Sequence, residues 1–129
     1  MSTVVRVLLV EDNEVYRSTL ELLLDGRDGV EVVGSVAAGD EAAAAAKAHD
    51  PDVVLMDFRL PELDGAGATA AVLAASPNAA VICLTAEATD ADRLAVFEAG
   101  AVGLIEKGSP IDDLVRAITS ASNRGEQEP

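Results

Sequence analysis

Asp52-Val53-Val54-Leu55-Met56-Asp57-Phe58-Arg59-Leu60-Pro61 is the stretch from which the chain is best read. Its apolar run has strand length and reads as a short strand buried on both faces. Asp57 is delivered at the carboxyl end of that strand. Pro61, with no N–H and a fixed φ, stops regular structure from continuing. In an open parallel sheet, ligands and chemistry collect at the carboxyl ends of the strands. A carboxylate buried there is costly unless something pairs with it. The rest of the chain reads as the supply of those partners.

Working outward, Val5–Val10 is a β-branched run of strand length ending on Glu11-Asp12. Asn13 is a suitable cap for a helix carrying Val15, Leu20, Leu22, Leu23 and Leu24 as a broad apolar stripe, closed by Gly26 and Gly29. Val30–Val36 alternates in part and suits an edge strand. Gly39-Asp40 caps an Ala-rich helix through His49, which Asp50-Pro51 ends. Beyond Pro61, Glu62-Leu63-Asp64-Gly65 reads as a turn and Ala66–Ala75 as a small-residue helix. Ala80–Thr85 is a fourth strand. Thr89 or Asp90 caps a helix with Leu94, Val96 and Phe97, and Gly100 stops it. Val102–Ile105 is a short fifth strand, ending near Lys107. Gly108-Ser109-Pro110 opens a last helix with Ile111, Leu114, Val115 and Ile118 at helical spacing. Five strands alternating with five helices argue an α/β fold, a three-layer α/β/α sandwich around a five-stranded parallel sheet. The domain is expected over residues 1–122, with 123–129 as a flexible tail or the start of a linker.

The chain of 129 residues is the size of one domain. Half of it is apolar, yet Tyr16, Phe58 and Phe97 are its only aromatic residues, so the core must be aliphatic. With 23 acidic and 9 basic residues the net charge is −14, which argues against nucleic acid or an anionic membrane as partners of this domain. The same surface suits divalent cations. Cys83 is the single cysteine and fits a reducing, cytoplasmic setting as a small core residue. His49, near a helix end, receives no catalytic role.

Four strands end on, or just before, side chains that ligate or react: Glu11 and Asp12, Asp57, Thr85, and Lys107. Three carboxylates at one sheet edge repel unless a cation sits among them, and oxygen ligands of this kind suit Mg²⁺. Lys107 and Thr85 would receive the oxygens of a phosphoryl group transferred to Asp57, a carboxylate nucleophile forming an acyl phosphate.

Leu9-Val10-Glu11-Asp12-Asn13, the Asp52–Asp57 run with Leu60-Pro61 and Asp64-Gly65, Leu84-Thr85-Ala86, and Gly100-Ala101 through Lys107 occur in order. Together they make the chain resemble a response-regulator receiver domain of two-component signalling over nearly its full length. The resemblance implies a flavodoxin-like sheet of order 2-1-3-4-5 and a phosphoryl group accepted from a sensor histidine kinase. It implies Asp57 as acceptor and Glu11, Asp12, Asp57 and the Arg59 backbone carbonyl as Mg²⁺ ligands. Thr85 is then the switch hydroxyl and Lys107 the cation on the phosphoryl group. Such a domain catalyses its own phosphorylation and dephosphorylation without being a conventional turnover enzyme, and homodimerisation on activation is a further implied partnership. Gly108-Ser109-Pro110-Ile111 resembles receivers that precede a helix-turn-helix output domain, which points to transcription regulation.

Two positions depart from that pattern. Leu104 stands where the family usually has a switching Tyr or Phe, and Gly108 follows the lysine where Pro is common. Leu104 is the one feature favouring an alternative, a phosphorylation-independent interaction module with the same fold. Gly65-Ala66-Gly67-Ala68-Thr69-Ala70 fits a dinucleotide fingerprint, with Glu87 about 20 residues on. It does not follow its strand directly, so close helix packing is the better reading of these small residues.

Overall fold

The computed structural model describes residues 4–59, 64–87 and 89–126. In chain order the elements are β1 (Val5–Val10), α1 (Glu14–Asp25), β2 (Val30–Val36), α2 (Gly39–His49), β3 (Val53–Asp57), α3 (Gly65–Ala75), β4 (Ala80–Thr85), α4 (Asp90–Glu98), β5 (Gly103–Glu106) and α5 (Ile111–Glu126). The strands form one parallel sheet of order β2-β1-β3-β4-β5. The chain moves outward from β1 to the edge strand β2, then crosses back past β1 to β3. That reversal leaves a crevice at the carboxyl ends of β1 and β3, the usual position of a site in such sheets.

The period-two alternation of the strands divides the core into two layers. Val5, Val7, Leu9, Val53, Leu55, Ile82 and Leu84 meet Leu20 and Leu24 of α1 and Leu114, Ile118 and Ala121 of α5. Leu8, Val10, Val54, Met56, Val81 and Cys83 meet Ala42, Ala46, Ala68, Val72 and Val96 of α2, α3 and α4. No aromatic side chain is among the buried core residues described. Burying a Val, Leu or Ile contributes about 1.5–3 kcal/mol, so the sheet supplies most of the core's stabilisation and the Ala-rich helices serve as close-fitting covers.

Several local expectations change. The apolar stripe of α1 is narrower than its sequence suggests, because only Leu20 and Leu24 are buried while Val15 and Leu22 are 77% and 78% exposed. Leu22 lies roughly 200° around the helix from Leu20 and cannot share its face. Gly39 is the first residue of α2, not its cap; Ala38 holds that place without a side-chain hydrogen bond. Asp40 and Glu41 in the first turn complement the helix dipole instead. Asn13, Asp64 and Thr89 do cap α1, α3 and α4, each accepting a backbone N–H. Strand β5 begins and ends one residue later than expected, so Lys107 follows it directly. The backbone of α5 continues to Glu126. Pro61 and most of the turn before Gly65 lie outside the described residues.

Gly65 joins α3 to the site strand. Its N–H donates to the Phe58 carbonyl at 2.8 Å, and a Cβ on it would lie 2.6 Å from the Phe58 Cα. The small residues at the start of α3 thus serve close approach to the end of β3. Gly65→Ala should destabilise the fold by about 1–3 kcal/mol and displace the backbone after Asp57. Urea unfolding checks the first part and amide chemical shifts at Phe58 and Arg59 the second; an unchanged midpoint would contradict it.

Candidate functional site

The sheet brings the four strand ends together. Glu11 stays in register one residue beyond β1, its N–H donating to the Val36 carbonyl at 3.0 Å, which turns its side chain inward to 1% exposure. Asp12 is exposed beside it, and Asp57 is 2% exposed at the end of β3. One carboxylate oxygen from each of Glu11, Asp12 and Asp57 lies within 4.8 Å of the others. The Lys107 N–H donates to the Thr85 carbonyl at 2.6 Å, which ties the ends of β4 and β5 and returns the lysine toward the acids.

Lys107 Nζ sits 2.9 Å from Glu11 Oε1 and 3.2 Å from Asp57 Oδ1. Asp57 Oδ1 also accepts the Arg59 N–H at 3.2 Å. Glu11 Oε2 accepts the Asn13 N–H at 3.0 Å, and the Arg17 guanidinium donates to the Glu11 carbonyl at 2.7 Å. Glu11 Oε1 has the Lys107 charge nearby but no hydrogen bond of good geometry. A buried carboxylate oxygen left so, with two further carboxylates at hand, is a donor set that fits a hard divalent cation. Three carboxylates face one ammonium, so the cluster keeps an excess of negative charge.

Burial pushes the Asp57 carboxyl up to about 7, helped by its contact with Glu11 and by the Glu11 charge; the Arg59 N–H and the Lys107 ammonium oppose this. Burial alone would lower Lys107, but Glu11 and Asp57 outweigh it and hold the ammonium above its ordinary value. Thr85 is buried, and its hydroxyl donates to the Glu87 carbonyl at 3.1 Å. Leu104 pairs in register with Cys83 and packs, partly buried, against the layer under α2, α3 and α4, away from the acidic cluster. Arg59 has its guanidinium 5.8 Å from the centre of the Phe58 ring. Cys83 is fully buried, its thiol pushed up to about 11 by burial, as a small core residue should be. His49 is exposed at the end of α2.

One neighbour escaped the sequence reading. The Tyr16 ring lies beside Lys107, with Nζ 4.9 Å from the ring centre. Its signal was present: the sole tyrosine stands in the first turn of the helix that leaves the Glu11-Asp12 pair.

The chain matches the family model of the response regulator receiver domain over residues 7–119. It is 35% identical over 114 residues to the response regulator GacA of Pseudomonas viridiflava, an overlap of 88% of this chain and 53% of that relative. The chain thus spans about half the length of the curated relatives it matches first. Among solved structures, the signal receiver domain of the response regulator NarL from Mycobacterium tuberculosis superposes with a TM-score of 0.89 at 31% identity, covering 94% of this chain and 98% of that one. The receiver domain of sensor histidine kinase PA1611 from Pseudomonas aeruginosa, solved with a magnesium ion coordinated in its active-site cleft, gives 0.82 at 33% identity, covering 94% and 99%.

The electrostatics of the cluster make stability depend on pH. Folded Asp57 keeps its proton up to about 7, whereas the unfolded carboxyl releases it near 3.8. Between those values the folded state binds more protons, so stability falls as pH rises. Metal-free protein should therefore lose stability from about pH 4 to about pH 7, levelling off above, and Asp57→Asn should flatten that part of the profile. Lys107→Met, which leaves two buried carboxylates without their cation, should cost up to roughly 3–5 kcal/mol, less at the acidic end. Urea unfolding across pH checks both, and a wild-type stability that rises through this window would contradict the assignment.

Proposed function

The chain belongs to the response regulator receiver domain family of two-component signalling, and on that premise we propose that Asp57 accepts a phosphoryl group from a sensor histidine kinase. The observation that carries this reading is the buried Asp57 carboxylate set among Glu11, Asp12 and the Lys107 ammonium at one sheet edge. An ionised Asp57 oxygen attacks phosphorus, a P–O bond forms, and the bond from phosphorus to the donor breaks. With a phosphohistidine donor the imidazole leaves; with acetyl phosphate, acetate leaves. The product is an acyl phosphate, whose hydrolysis by water resets the domain. The chain thus promotes its own phosphorylation and dephosphorylation without ordinary turnover.

Lys107 exchanges a carboxylate partner for a phosphoryl oxygen, and the Thr85 hydroxyl turns from the Glu87 carbonyl to another. Mg²⁺ would be held by Glu11, Asp12, Asp57 and the Arg59 carbonyl. When bound it neutralises charge developing on the phosphoryl oxygens. Among the described residues no helix is long and apolar enough to cross a membrane. A cytoplasmic location, no nucleic-acid or membrane contact through this domain, and homodimerisation on activation complete the proposal. So does a receiver domain over residues 1–122, with 123–129 as a tail or the start of a linker.

Leu104 favours a modified switch. A Leu lacks the area and the polar tip that give a Tyr distinct inward and exposed states. Activation therefore acts chiefly through Thr85, the residues after it and α4. A phosphorylation-independent interaction module has only Leu104 in its favour, against a complete acidic and cationic set.

Acetyl phosphate with Mg²⁺ should add one phosphate to the wild type by intact mass and none to Asp57→Asn. Undiminished labelling of the variant, or full labelling in excess chelator, would remove the acceptor and metal assignments respectively. Mg²⁺ at about 100 times its Kd should stabilise by about 2.7 kcal/mol, raising Tm on the order of 10 °C, and more at pH 8 than at pH 5 because it displaces the Asp57 proton. Beryllofluoride, standing in for the phosphoryl group, should shift backbone amides at Thr85–Glu87 strongly and at Leu104 weakly. Equal shifts would show that Leu104 does the aromatic residue's task.

A further inference from the structure

The proposed chemistry uses every charged group of the cluster and leaves one neighbour without a role. Tyr16 is placed by the same turn that presents Glu11. The Glu11 carboxylate accepts the Asn13 N–H, the Asn13 side chain accepts the Tyr16 N–H at 2.9 Å, and the Asn13 carbonyl accepts the Arg17 N–H at 2.9 Å. The ring is half-buried against the aliphatic layer under α1 and α5, and its face receives the Lys107 ammonium at 4.9 Å. Lys107 thus stands between two carboxylates, at 2.9 and 3.2 Å, and an aromatic face. A ring present only as core filling would be enclosed. Tyr16 instead also borders a cleft of ≈ 200 Å³ shared with Thr19, Leu23, Ile105 and Ile111.

We propose that Tyr16 is a positioning residue for Lys107, keeping the ammonium at the acceptor carboxylate while it moves from Glu11 to a phosphoryl oxygen. The inference rests on the reading of Asp57 as phosphoacceptor. A lysine stem is flexible, and its hydrogen bonds to a carboxylate weaken steeply with angle. Attraction to the face of a ring comes from the ring quadrupole and tolerates lateral displacement. When a phosphoryl group arrives, Lys107 must release one partner without swinging into solvent. The Tyr16 face stays beneath it through that movement and excludes water from that side, which strengthens the remaining electrostatic contacts. The phenol oxygen is not needed for this, so the ring and not the hydroxyl carries the effect.

Acetyl phosphate isolates the site because so small a donor needs no docking surface. With Mg²⁺ present, Tyr16→Leu should be phosphorylated about three- to tenfold more slowly, the range one partly desolvated cation–π contact spans. Tyr16→Phe, which keeps the ring, should stay within about twofold of wild type, and Mg²⁺ affinity should change by less than about twofold in either variant. Independently of activity, the Lys107 ε-methylene protons should be shifted upfield by the ring in wild type and Tyr16→Phe, and lose that shift in Tyr16→Leu. An unshifted Lys107 in the wild type overturns the proposal without any variant. So does a Tyr16→Leu rate equal to wild type, or a Tyr16→Phe rate as slow as that of Tyr16→Leu. Absence of labelling in the wild type would overturn the acceptor reading and this proposal with it, an outcome told apart from the others by the unaltered protein.

Discussion

The Lys107 ammonium between Glu11 and Asp57 is the contact around which this molecule is arranged. Two carboxylates with almost no exposure could not both stay ionised in an aliphatic sheet without a cation at hand. Lys107 is delivered by the last strand and Glu11 by the first strand pair, so the contact closes the site across the width of the sheet. It is also incomplete. Asp57 remains hard to ionise, and one Glu11 oxygen has the charge of Lys107 without a well-formed hydrogen bond. A site so under-neutralised favours a further cation.

The sheet topology supplies the geometry that this electrostatic arrangement needs. Parallel strands all point one way, so side chains that end them gather at one edge without any loop having to carry them there. The register keeps Asp57 beside Leu84 and Thr85 beside Glu106, one residue short of Lys107. Small residues let α3 approach that edge, with Gly65 against the backbone after Asp57. The aliphatic layers on both sides keep water from the strands and give the site its low-dielectric floor. Rigidity beneath and partial neutralisation above together suit a group that must be attacked, held and released.

The proposed switch rests on fewer parts. The Thr85 hydroxyl rests on the Glu87 carbonyl, a local bond that a stronger acceptor can displace. Leu104 lies on the same sheet face as Thr85 but within the aliphatic layer, where a rotamer change alters little polar surface.

Much of this was legible in the order of residues. Strand-length Val and Leu runs separated by capped helical stretches specify alternating elements, and alternation implies a parallel sheet because each return needs a crossover. The acids, the threonine and the lysine could be assigned to strand ends because local chemistry marks where a strand stops. Tertiary structure alone decided which of these meet, since contact between residues 11, 57 and 107 depends on strand order and register, and neither is written locally. It also decided that Leu22 of α1 stays in solvent while Leu20 is buried, because hydrophobicity is a property of a residue and burial a property of its angle around a packed helix. Tyr16 shows the same limit. Its place in the first turn of α1 could be read from the Asn13 cap, but its meeting with a lysine far along the chain arises only when the carboxyl ends of β1 and β5 share one edge of the sheet.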